Sequence, residues 1–200
     1  MSEIVDISTM GAGLPAVPPP ALDPYLDAAA RCLARHGVRR TSVHDVAREL
    51  GVSRATVYRQ VGTMDRLGAL LFAREVHRLL EALPAQVAGL GGVDAIIRMA
   101  TLVVEAAHEH PVLRKVLADE PDVAGSYLTL GLPAVIERVR PVLVPLLEAG
   151  AAAGELTATD PGVLADWLVR LVSSSVLVAP PVDADRYFDT VLRPVLTPQR

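Results

Sequence analysis

Residues 54–59 combine two arginines with small side chains that could contact the bases of duplex DNA. The guanidinium of Arg54 can donate two hydrogen bonds to the edge of a guanine in the major groove. Ala55 and Thr56 are small enough to let a helix approach the bases closely and to contact a thymine methyl group. This chemistry requires an exposed helix, so the flanking sequence must form and position that helix.

Residues 41–66, TSVHDVARELGVSRATVYRQVGTMDR, have the pattern of two short helices joined by a tight turn. Ala47 is small enough for two helices to cross closely, and Gly51 can adopt the left-handed conformation that ends the first of them. Ser53 can cap the second helix, because its hydroxyl can accept from the exposed N–H groups there. Val57 would then bury against the first helix. The spacing predicts a helix-turn-helix whose second helix enters the major groove.

Caps and breakers predict helices along the whole chain. Ser42 can form a capping box with Asp45, Gly62 ends the recognition helix, and Thr63 can cap the next helix. No segment alternates in the manner of a strand, so the predicted fold class is all-α. The predicted helices cover about 24–36, 42–50, 54–60, 63–83, 94–109, 111–118, 133–152, 161–178 and 184–196, with a loop at 120–125 and with Pro141 and Pro145 kinking or dividing the seventh helix.

The ordered motifs between Leu22 and Leu80 resemble the TetR family of bacterial transcriptional regulators. They are YLDAAARCLARHGVRRTS, VHDVARELGVSRATVYRQV and MDRLGALLFAREV. The chain departs from the family pattern at Gln60-Val61, where His-Phe is usual, and at Met64, where a lysine is common. The resemblance implies an N-terminal helix-turn-helix domain followed by a helical domain that binds an effector and dimerises.

The same resemblance implies DNA contacts on both sides of the recognition helix. Tyr58 and Arg59 are similar to positions that touch phosphates, and Arg66 can reach a phosphate from the start of the following helix. The start of the preceding helix is similar to segments that contact the DNA backbone. The predicted DNA-binding residues are Thr41, Ser42, Val43, Ser53, Arg54, Ala55, Thr56, Tyr58, Arg59 and Arg66.

The distribution of charge favours a nucleic-acid partner although the formal net charge is −4. Residues 22–80 contain ten arginines and six acidic residues, whereas the rest of the chain has a net charge of −8. Within residues 31–66, eight arginines stand against three acidic residues. Such asymmetry is typical of one basic face on an otherwise acidic molecule. We expect double-stranded operator DNA as the partner.

The composition suits two helical domains, since 51% of the 200 residues are apolar and only 4% are aromatic. We predict a disordered arm at 1–20, the DNA-binding domain at 21–83, and the effector-binding and dimerisation domain at 84–200. No apolar run approaches the ~18 residues of a membrane helix, and the first residues lack the pattern of an export signal. The single cysteine, Cys32, excludes an internal disulfide. We therefore expect a cytoplasmic protein with no membrane partner.

Catalytic and metal-binding patterns are absent from the sequence. His108 and His110 stand close to Glu105 and Glu109, but side chains two residues apart on a helix diverge rather than converge on one ion. A solvated helix end accounts for them better. We predict no enzymatic activity, no cofactor and no metal site.

Regulators that resemble this chain usually enclose a small effector among the helices that follow the DNA-binding domain. Here those helices supply mostly Val, Leu, Ile and Ala with isolated polar residues, which would suit a lipophilic effector with one polar end. The same apolar residues could instead simply form a core. The candidate effector contacts are Arg98, Thr101, Glu105, Tyr127, Arg138 and Trp167.

The last two predicted helices carry apolar faces that predict a homodimer. Two such helix pairs related by a twofold axis would form a four-helix bundle. The candidate interface residues are Leu164, Trp167, Leu168, Leu171, Val172, Tyr187, Phe188 and Val191.

Two functions of different classes fit these patterns. The favoured one is a DNA-binding transcriptional regulator, a repressor released from a palindromic operator by a lipophilic small-molecule effector. The alternative is a helical lipid or small-molecule binding protein with a vestigial helix-turn-helix. The basic residues Arg54, Arg59 and Arg66 argue against that alternative.

Overall fold

The computed structural model describes residues 15–126, 130–157 and 160–198, and the regular structure within them is entirely helical. The all-α fold class is confirmed. Most of the predicted N-terminal arm, residues 1–14, lies outside the described residues. A short 3-10 turn at Pro20–Leu22 precedes helices α1 (Asp23–His36), α2 (Val43–Leu50), α3 (Arg54–Val61), α4 (Met64–Gln86), α5 (Gly92–Glu109), α6 (Pro111–Asp119), α7 (Pro121–Ser126), α8 (Leu132–Ala152), α9 (Pro161–Leu177) and α10 (Ala184–Leu196).

Local signals end the helices around the turn as the sequence predicts. The hydroxyl of Ser42 accepts from the N–H of Asp45 at 3.4 Å, and the Asp45 carboxylate accepts from the N–H of Ser42 at 3.0 Å, which completes the capping box. These bonds from Ser42 hold the pKa of Asp45 below its ordinary value, so the cap is fully charged at neutral pH. Gly51 ends α2 in the left-handed region at φ +68°. Ser53 accepts from the N–H of Thr56 at 3.1 Å and caps α3.

By its internal contacts the chain divides into two compact units. The first comprises the described residues up to Arg78 together with Glu109–Ala134, and the second comprises Leu79–His108 with the described residues from Val135 onward. The helices α6 and α7 therefore pack with the N-terminal helices, although they follow α5 in the sequence. The functional boundary between residues 83 and 84 stays a prediction.

The first unit has a small apolar core to which α1, α2, α3 and α4 all contribute. Leu26, Val46, Val57 and Leu67 are completely buried in it. Val112, on α6, packs against the same core from its edge. Because each helix contributes only a few side chains, the removal of any one of them affects the whole helix-turn-helix.

The second unit has its own apolar core, to which α5, α8, α9 and α10 contribute. Leu147, Phe188 and Leu192 are almost completely buried in it. The rings of Tyr187 and Phe188 meet edge to face with their centroids 5.4 Å apart. The Arg193 guanidinium pairs with Asp94 at 2.8 Å and so joins α10 to the start of α5.

Three prolines lie inside helices, at positions where the sequence predicted that a helix would end or be interrupted. Helix α4 continues through Pro84 to Gln86, and α8 runs undivided through Pro141 and Pro145. Pro84 lies in the last turn of α4, where little of the hydrogen-bonded ladder remains to be broken. The other two are exposed, so water can solvate the carbonyls that they leave without a partner. The predicted end of α4 at residue 83 is therefore wrong.

Residues 120–125, predicted as a loop, contain most of α7. Pro121 occupies its first turn, where the missing N–H has no intrahelical partner to lose. The carbonyl of Glu120 accepts from the N–H of Ala124 at 3.2 Å, and Ala124 is buried. The loop prediction is wrong because a proline that ends one helix begins the next one here.

A buried arginine ties the start of α1 to the middle of α4. The side chain of Arg74 is only 6% exposed, and its Nη1 lies 2.9 Å from Asp23 Oδ1 and 2.8 Å from Asp27 Oδ1. Its Nη2 lies 2.8 Å from Glu75 Oε1. Burial alone would lower the pKa of Arg74, but the bonds to these carboxylates outweigh it and raise the pKa. Arg74 is therefore held in its charged form by these carboxylates.

Replacement of Arg74 should destabilise the first unit more than replacement of its neighbour Arg78. We expect Arg74→Met to lower the free energy of unfolding by about 1–3 kcal/mol, because three carboxylates lose their buried counter-ion but can still reach water. Arg78 contacts two of the same carboxylates at 3.5 and 3.6 Å, but its side chain is 50% exposed. Arg78→Met should therefore change the free energy of unfolding by less than about 1 kcal/mol. Denaturation followed by circular dichroism measures both. Equal losses would contradict a special role for the buried arginine.

Candidate nucleic-acid interface

Helix α3 divides into a buried and an exposed side. Val57 and Val61 lie one turn apart, and both side chains are buried in the core of the first unit. With only eight residues, α3 has no second apolar stripe, so its other side faces solvent. The exposed residues of α3 are Arg54, Ala55, Tyr58, Arg59 and Gln60.

The hydroxyls of Ser53 and Thr56 hold the start of α3 rather than pointing freely into solvent. Their oxygens lie 2.9 Å apart, and the Ser53 hydroxyl also accepts from the N–H of Thr56. This leaves the side chain of Arg54, the first residue of the helix, to project from a fixed N-terminus. The cap therefore positions the arginine that sequence analysis assigned to base contact.

The predicted contacts at the start of α2 differ in how they can meet DNA. The Thr41 hydroxyl is buried and donates to the carbonyl of Gly37 at 2.6 Å, and the Val43 side chain is buried in the core. Ser42 is exposed, but its hydroxyl donates to Asp45 Oδ2 at 2.6 Å. What this segment offers a phosphate is the main-chain N–H groups of Val43 and His44 at the start of α2, because the N–H of Asp45 is taken by Ser42.

Arg66 lies beside the end of α3. Gly62 ends that helix at φ +80°, and a Cβ on it would stand 3.2 Å from Arg66 Cδ. The N–H of Arg66 donates to the Thr63 hydroxyl at 3.3 Å, which confirms Thr63 as the cap of α4. The exposed guanidinium of Arg66 thus starts from a backbone that is fixed next to the recognition helix.

Several arginines of the first unit are neutralised by nearby carboxylates. Arg31 pairs with Glu49 at 2.7 Å, and Arg35 pairs with the other oxygen of the same carboxylate. Arg48 pairs with Asp45 at 3.0 Å on the surface of α2. Arginines held in this way contribute little to a basic surface, because each shares its charge with an adjacent anion.

The three arginines closest to the exposed side of α3 are different. Within residues 15–126, 130–157 and 160–198, the side chains of Arg54, Arg59 and Arg66 have neither an ion pair nor a hydrogen bond. All three are exposed. Their positive charge therefore stays available beside the helix that the sequence predicts to enter the major groove.

A contact that the sequence does not predict joins α6 and α7 to the loop before α2. Glu120 Oε2 accepts from the N–H of Val38 at 2.7 Å, and Oε1 accepts from the N–H of Arg39 at 3.0 Å. The Arg39 guanidinium pairs with Asp122. The partners are more than eighty residues apart in the sequence, so no local pattern could have indicated the contact.

The predicted effector contacts differ in their environments. Arg98 and Glu105 face each other across two turns of α5 at 3.8 Å, and both are partly exposed. Thr101 is completely buried, and its hydroxyl has no hydrogen-bond partner among the described residues. Arg138 is half-buried, and Trp167 is 36% exposed. Tyr127 lies outside the described residues.

The predicted dimer residues also fall into two groups. Leu164, Leu168 and Phe188 are buried in the core of their own unit, packed with residues of α5 and α8. This differs from the expectation that all eight side chains share one free face, because the single chain already covers these three. The accessible members are Trp167, Leu171, Val172, Tyr187 and Val191.

His108 does not belong to a cluster of metal ligands. Its Nε2 lies 2.9 Å from the carbonyl oxygen of Val176, a contact that joins α5 to α9. In the part of the chain that the structure describes, no group of three or more His, Cys, Asp or Glu side chains could hold a metal ion. Among the described helices, none combines the length and apolar character that crossing a bilayer demands.

Comparisons with known proteins agree with this geometry. Residues 26–67 match the sequence model of the bacterial regulatory proteins of the tetR family. The chain is 26% identical over 161 residues to an uncharacterized HTH-type transcriptional regulator of Mycobacterium tuberculosis. The aligned region covers 80% of this chain and 82% of that protein.

Solved structures extend the likeness to the whole fold. QsdR, a transcriptional repressor of the TetR family from R. erythropolis, is similar with a TM-score of 0.60 and 24% identity over 91% of this chain and 99% of its own. RolR in complex with its ligand resorcinol is similar with a TM-score of 0.63 and 14% identity over 94% of this chain and 88% of its own. Identities this low show a shared fold, while the family match covers the helix-turn-helix itself. The family match places a helix-turn-helix of the tetR type at residues 26–67, and together these similarities support a transcriptional regulator of the TetR family.

Proposed function

We propose that this chain is a homodimeric repressor that binds a palindromic operator through α3 and is released from it by a lipophilic effector. The observation that carries the proposal is the set of three uncompensated arginines, Arg54, Arg59 and Arg66, around the exposed side of α3. Exposed cations without a carboxylate partner add little to the stability of the fold. They do contribute to binding a polyanion, because each phosphate that they neutralise releases counter-ions.

The three arginines have different tasks in this proposal. Arg54 projects from the capped N-terminus of α3, the end at which recognition helices contact base edges. Arg59 lies more than one turn further along, and Arg66 lies beside the C-terminal end of the same helix. Both of these meet phosphates, together with Tyr58, which is exposed. Arg54 therefore supplies sequence preference, and the other two supply affinity.

A second copy of the chain is needed because α3 has only two turns. A helix of this length contacts few base pairs, and a symmetric partner supplies a second half-site. The accessible stripe that supports this partner comprises Val163 and Trp167 on α9 and Val195 on α10, which are exposed, and Val191, which is partly buried against the core of its own unit.

A buried hydroxyl in the second unit supports an effector site. Thr101 on α5 could have bonded the carbonyl one turn earlier, yet its hydroxyl is unpaired in the described structure. An unsatisfied buried hydroxyl costs about 1–3 kcal/mol, which a ligand with a polar end would recover on binding. RolR, which has the same fold, binds resorcinol, a small aromatic molecule with hydroxyl groups. An effector that favours one arrangement of the helices would lower DNA affinity by its preference between the two states.

The first prediction separates base contact from phosphate contact. A duplex selected by the wild-type protein from a random library serves as the operator. Arg54→Ala should weaken binding to it by about 1–3 kcal/mol and relax the preference at one base position. Arg66→Ala should weaken binding to selected and random duplexes alike and reduce the salt slope by about one unit.

Arg78→Ala is the matched control, because Arg78 is an arginine of the same unit whose charge is paired with Asp23 and Glu75. It should leave the affinity within about twofold. Fluorescence anisotropy over a range of salt concentrations measures all three variants. If Arg54→Ala weakens selected and random DNA equally, Arg54 does not read bases. If the wild-type protein selects no sequence, the vestigial helix-turn-helix of a small-molecule binding protein becomes the better account.

The second prediction concerns the dimer. Trp167→Glu should yield a folded monomer, because it places an unpaired charge in the accessible stripe without disturbing the core. Val142→Glu is the control, since Val142 is 45% exposed on α8 and outside that stripe. A change at Leu168 would be uninformative, because this side chain is only 4% exposed and its loss would unfold the unit. Light scattering decides the question: a dimeric Trp167→Glu protein, or a wild-type monomer that binds operator tightly, would refute the proposed interface.

The third prediction tests Thr101 by two effects of opposite sign. Thr101→Val keeps the shape and removes the unpaired hydroxyl, so it should leave the protein equally stable or more stable. It should also reduce the thermal shift produced by fatty acids, lactones or phenols that act on the wild-type protein. Thr157→Val is the control, because the Thr157 hydroxyl is likewise buried and unpaired among the described residues. It should stabilise the protein but leave the ligand response unchanged, and an identical ligand response in both variants would exclude Thr101 as an effector contact.

A further inference from the structure

We propose that Glu120 is a positioning residue for DNA binding, through which α6 and α7 fix the start of α2. The inference rests on the proposed function of the helix-turn-helix as an operator-binding unit. It concerns a residue far in sequence from any DNA contact, and it gives α6 and α7 a role in setting DNA affinity.

The carboxylate of Glu120 acts as a clamp on the loop that joins α1 to α2. Its two oxygens accept from the consecutive main-chain N–H groups of Val38 and Arg39, at 2.7 and 3.0 Å. The residue is only 6% exposed, so water has little access to replace these bonds. A carboxylate that accepts two main-chain N–H bonds away from water makes a strong contact, because charged acceptors form stronger bonds than neutral ones.

The backbone on the other side of the clamp is also fixed. Glu120 stands at the junction of two helices: its N–H donates to the carbonyl of Val116 at 2.9 Å at the end of α6, and its carbonyl accepts from Val123 at 3.0 Å at the start of α7. Helix α6 packs against the core of the first unit through Val112. The carboxylate is therefore held by a rigid helical corner rather than by a flexible loop.

Gly37 is adapted to the close approach of this carboxylate. A Cβ at Gly37 would stand 2.7 Å from Glu120 Oε1, and the residue has φ +80°, which disfavours any side chain there. The glycine that ends α1 thus also makes room for the clamp. Two independent features of the loop, its bare glycine and its two donated N–H groups, agree on Glu120 as its partner.

The clamped loop leads directly into the cap of α2. The Thr41 hydroxyl donates to the carbonyl of Gly37 at 2.6 Å, so residues 37–41 are tied into one compact turn. The next residue, Ser42, is the cap of α2, and the N–H groups that follow it are the ones proposed to meet a phosphate. A displacement of Glu120 therefore changes the position of the anion-binding end of α2.

Simple electrostatics and positioning make opposite predictions for the loss of this charge. Removal of a negative charge from a DNA-binding unit should strengthen DNA binding if only its field matters. If Glu120 positions α2, Glu120→Gln should weaken binding instead, because an amide offers one acceptor oxygen and turns an N–H toward the second donor. The adjacent Asp122 is the matched control: it pairs with Arg39 on the exposed surface, and Asp122→Asn removes the same charge without touching the main-chain N–H groups.

The experiment uses full-length wild-type, Glu120→Gln and Asp122→Asn proteins with the duplex that the wild-type protein selects from a random library. We expect Glu120→Gln to bind this duplex about tenfold more weakly with an unchanged salt slope, since one charged hydrogen bond is lost and no phosphate contact is removed. Asp122→Asn should bind it equally or up to about threefold more tightly. Hydrogen exchange with mass spectrometry reads the clamp independently of DNA. The amides of Val38 and Arg39 should exchange faster in Glu120→Gln, while peptides from α9 and α10 should keep their protection.

Two results would overturn the role of Glu120. One is a Glu120→Gln protein that binds the selected duplex as tightly as the wild type or more tightly, whether or not exchange at residues 38 and 39 is faster. The other is equal weakening by both variants, which would indicate a general effect of charge. A wild-type protein that enriches no duplex would instead overturn the proposed function, and faster exchange at residues 38 and 39 would still show that the clamp exists.

Discussion

The crossing of α2 and α3 is the packing constraint on which the DNA-facing surface depends. Val57 is completely buried at this crossing, and Gly51 lets α2 end abruptly enough for the chain to turn back over it. Because α3 has only two turns, burying Val57 and Val61 fixes its rotation about its own axis. The direction in which Arg54 and Arg59 project is therefore decided by two valines on the opposite side. Substitutions in this small core would misdirect the arginines even when they leave every charge in place.

Charge pairing then determines how much of the basic sequence is available to a polyanion. Of the eight arginines in residues 31–66, four pair with carboxylates, and Arg40 donates to the carbonyl of His36. The three that remain are Arg54, Arg59 and Arg66. The number of arginines counted from the sequence overstates the basic surface of this segment, because four of them pair with carboxylates. Whether an arginine has a carboxylate neighbour in the described fold depends on tertiary structure, so it cannot be counted from the sequence.

Features that depend on neighbours within about four residues could be predicted from the sequence. The capping box of Ser42, the cap at Ser53 and the left-handed turn at Gly51 are of this kind, and so the helix-turn-helix was predictable almost residue by residue. The contact of Glu120 with Val38 depends on chain folding over a long separation and has no sequence pattern. The faces of α9 and α10 show a third case. A periodic apolar stripe has the same sequence whether its own chain or a second copy covers it, and only the structure places Leu168 in the core and Trp167 on the surface.

Helix α1 is held at both of its ends by charged contacts, and the two contacts lie on different paths of the chain. At its start, Asp23 and Asp27 bind Arg74 on α4, which continues into the second unit beyond Arg78. Past the end of α1, the N–H groups of Val38 and Arg39 donate to Glu120. Glu120 follows α6, and α6 comes directly after α5 in the sequence. Both contacts lie within the first unit, so the helix-turn-helix that packs on α1 depends on two supports from different parts of the chain. The two supports differ in what their loss would expose. The carboxylates that bind Arg74 can still reach water, whereas loss of the Glu120 carboxylate would leave two main-chain N–H groups without their acceptor. The contact at Glu120 is therefore the support that solvent can least replace.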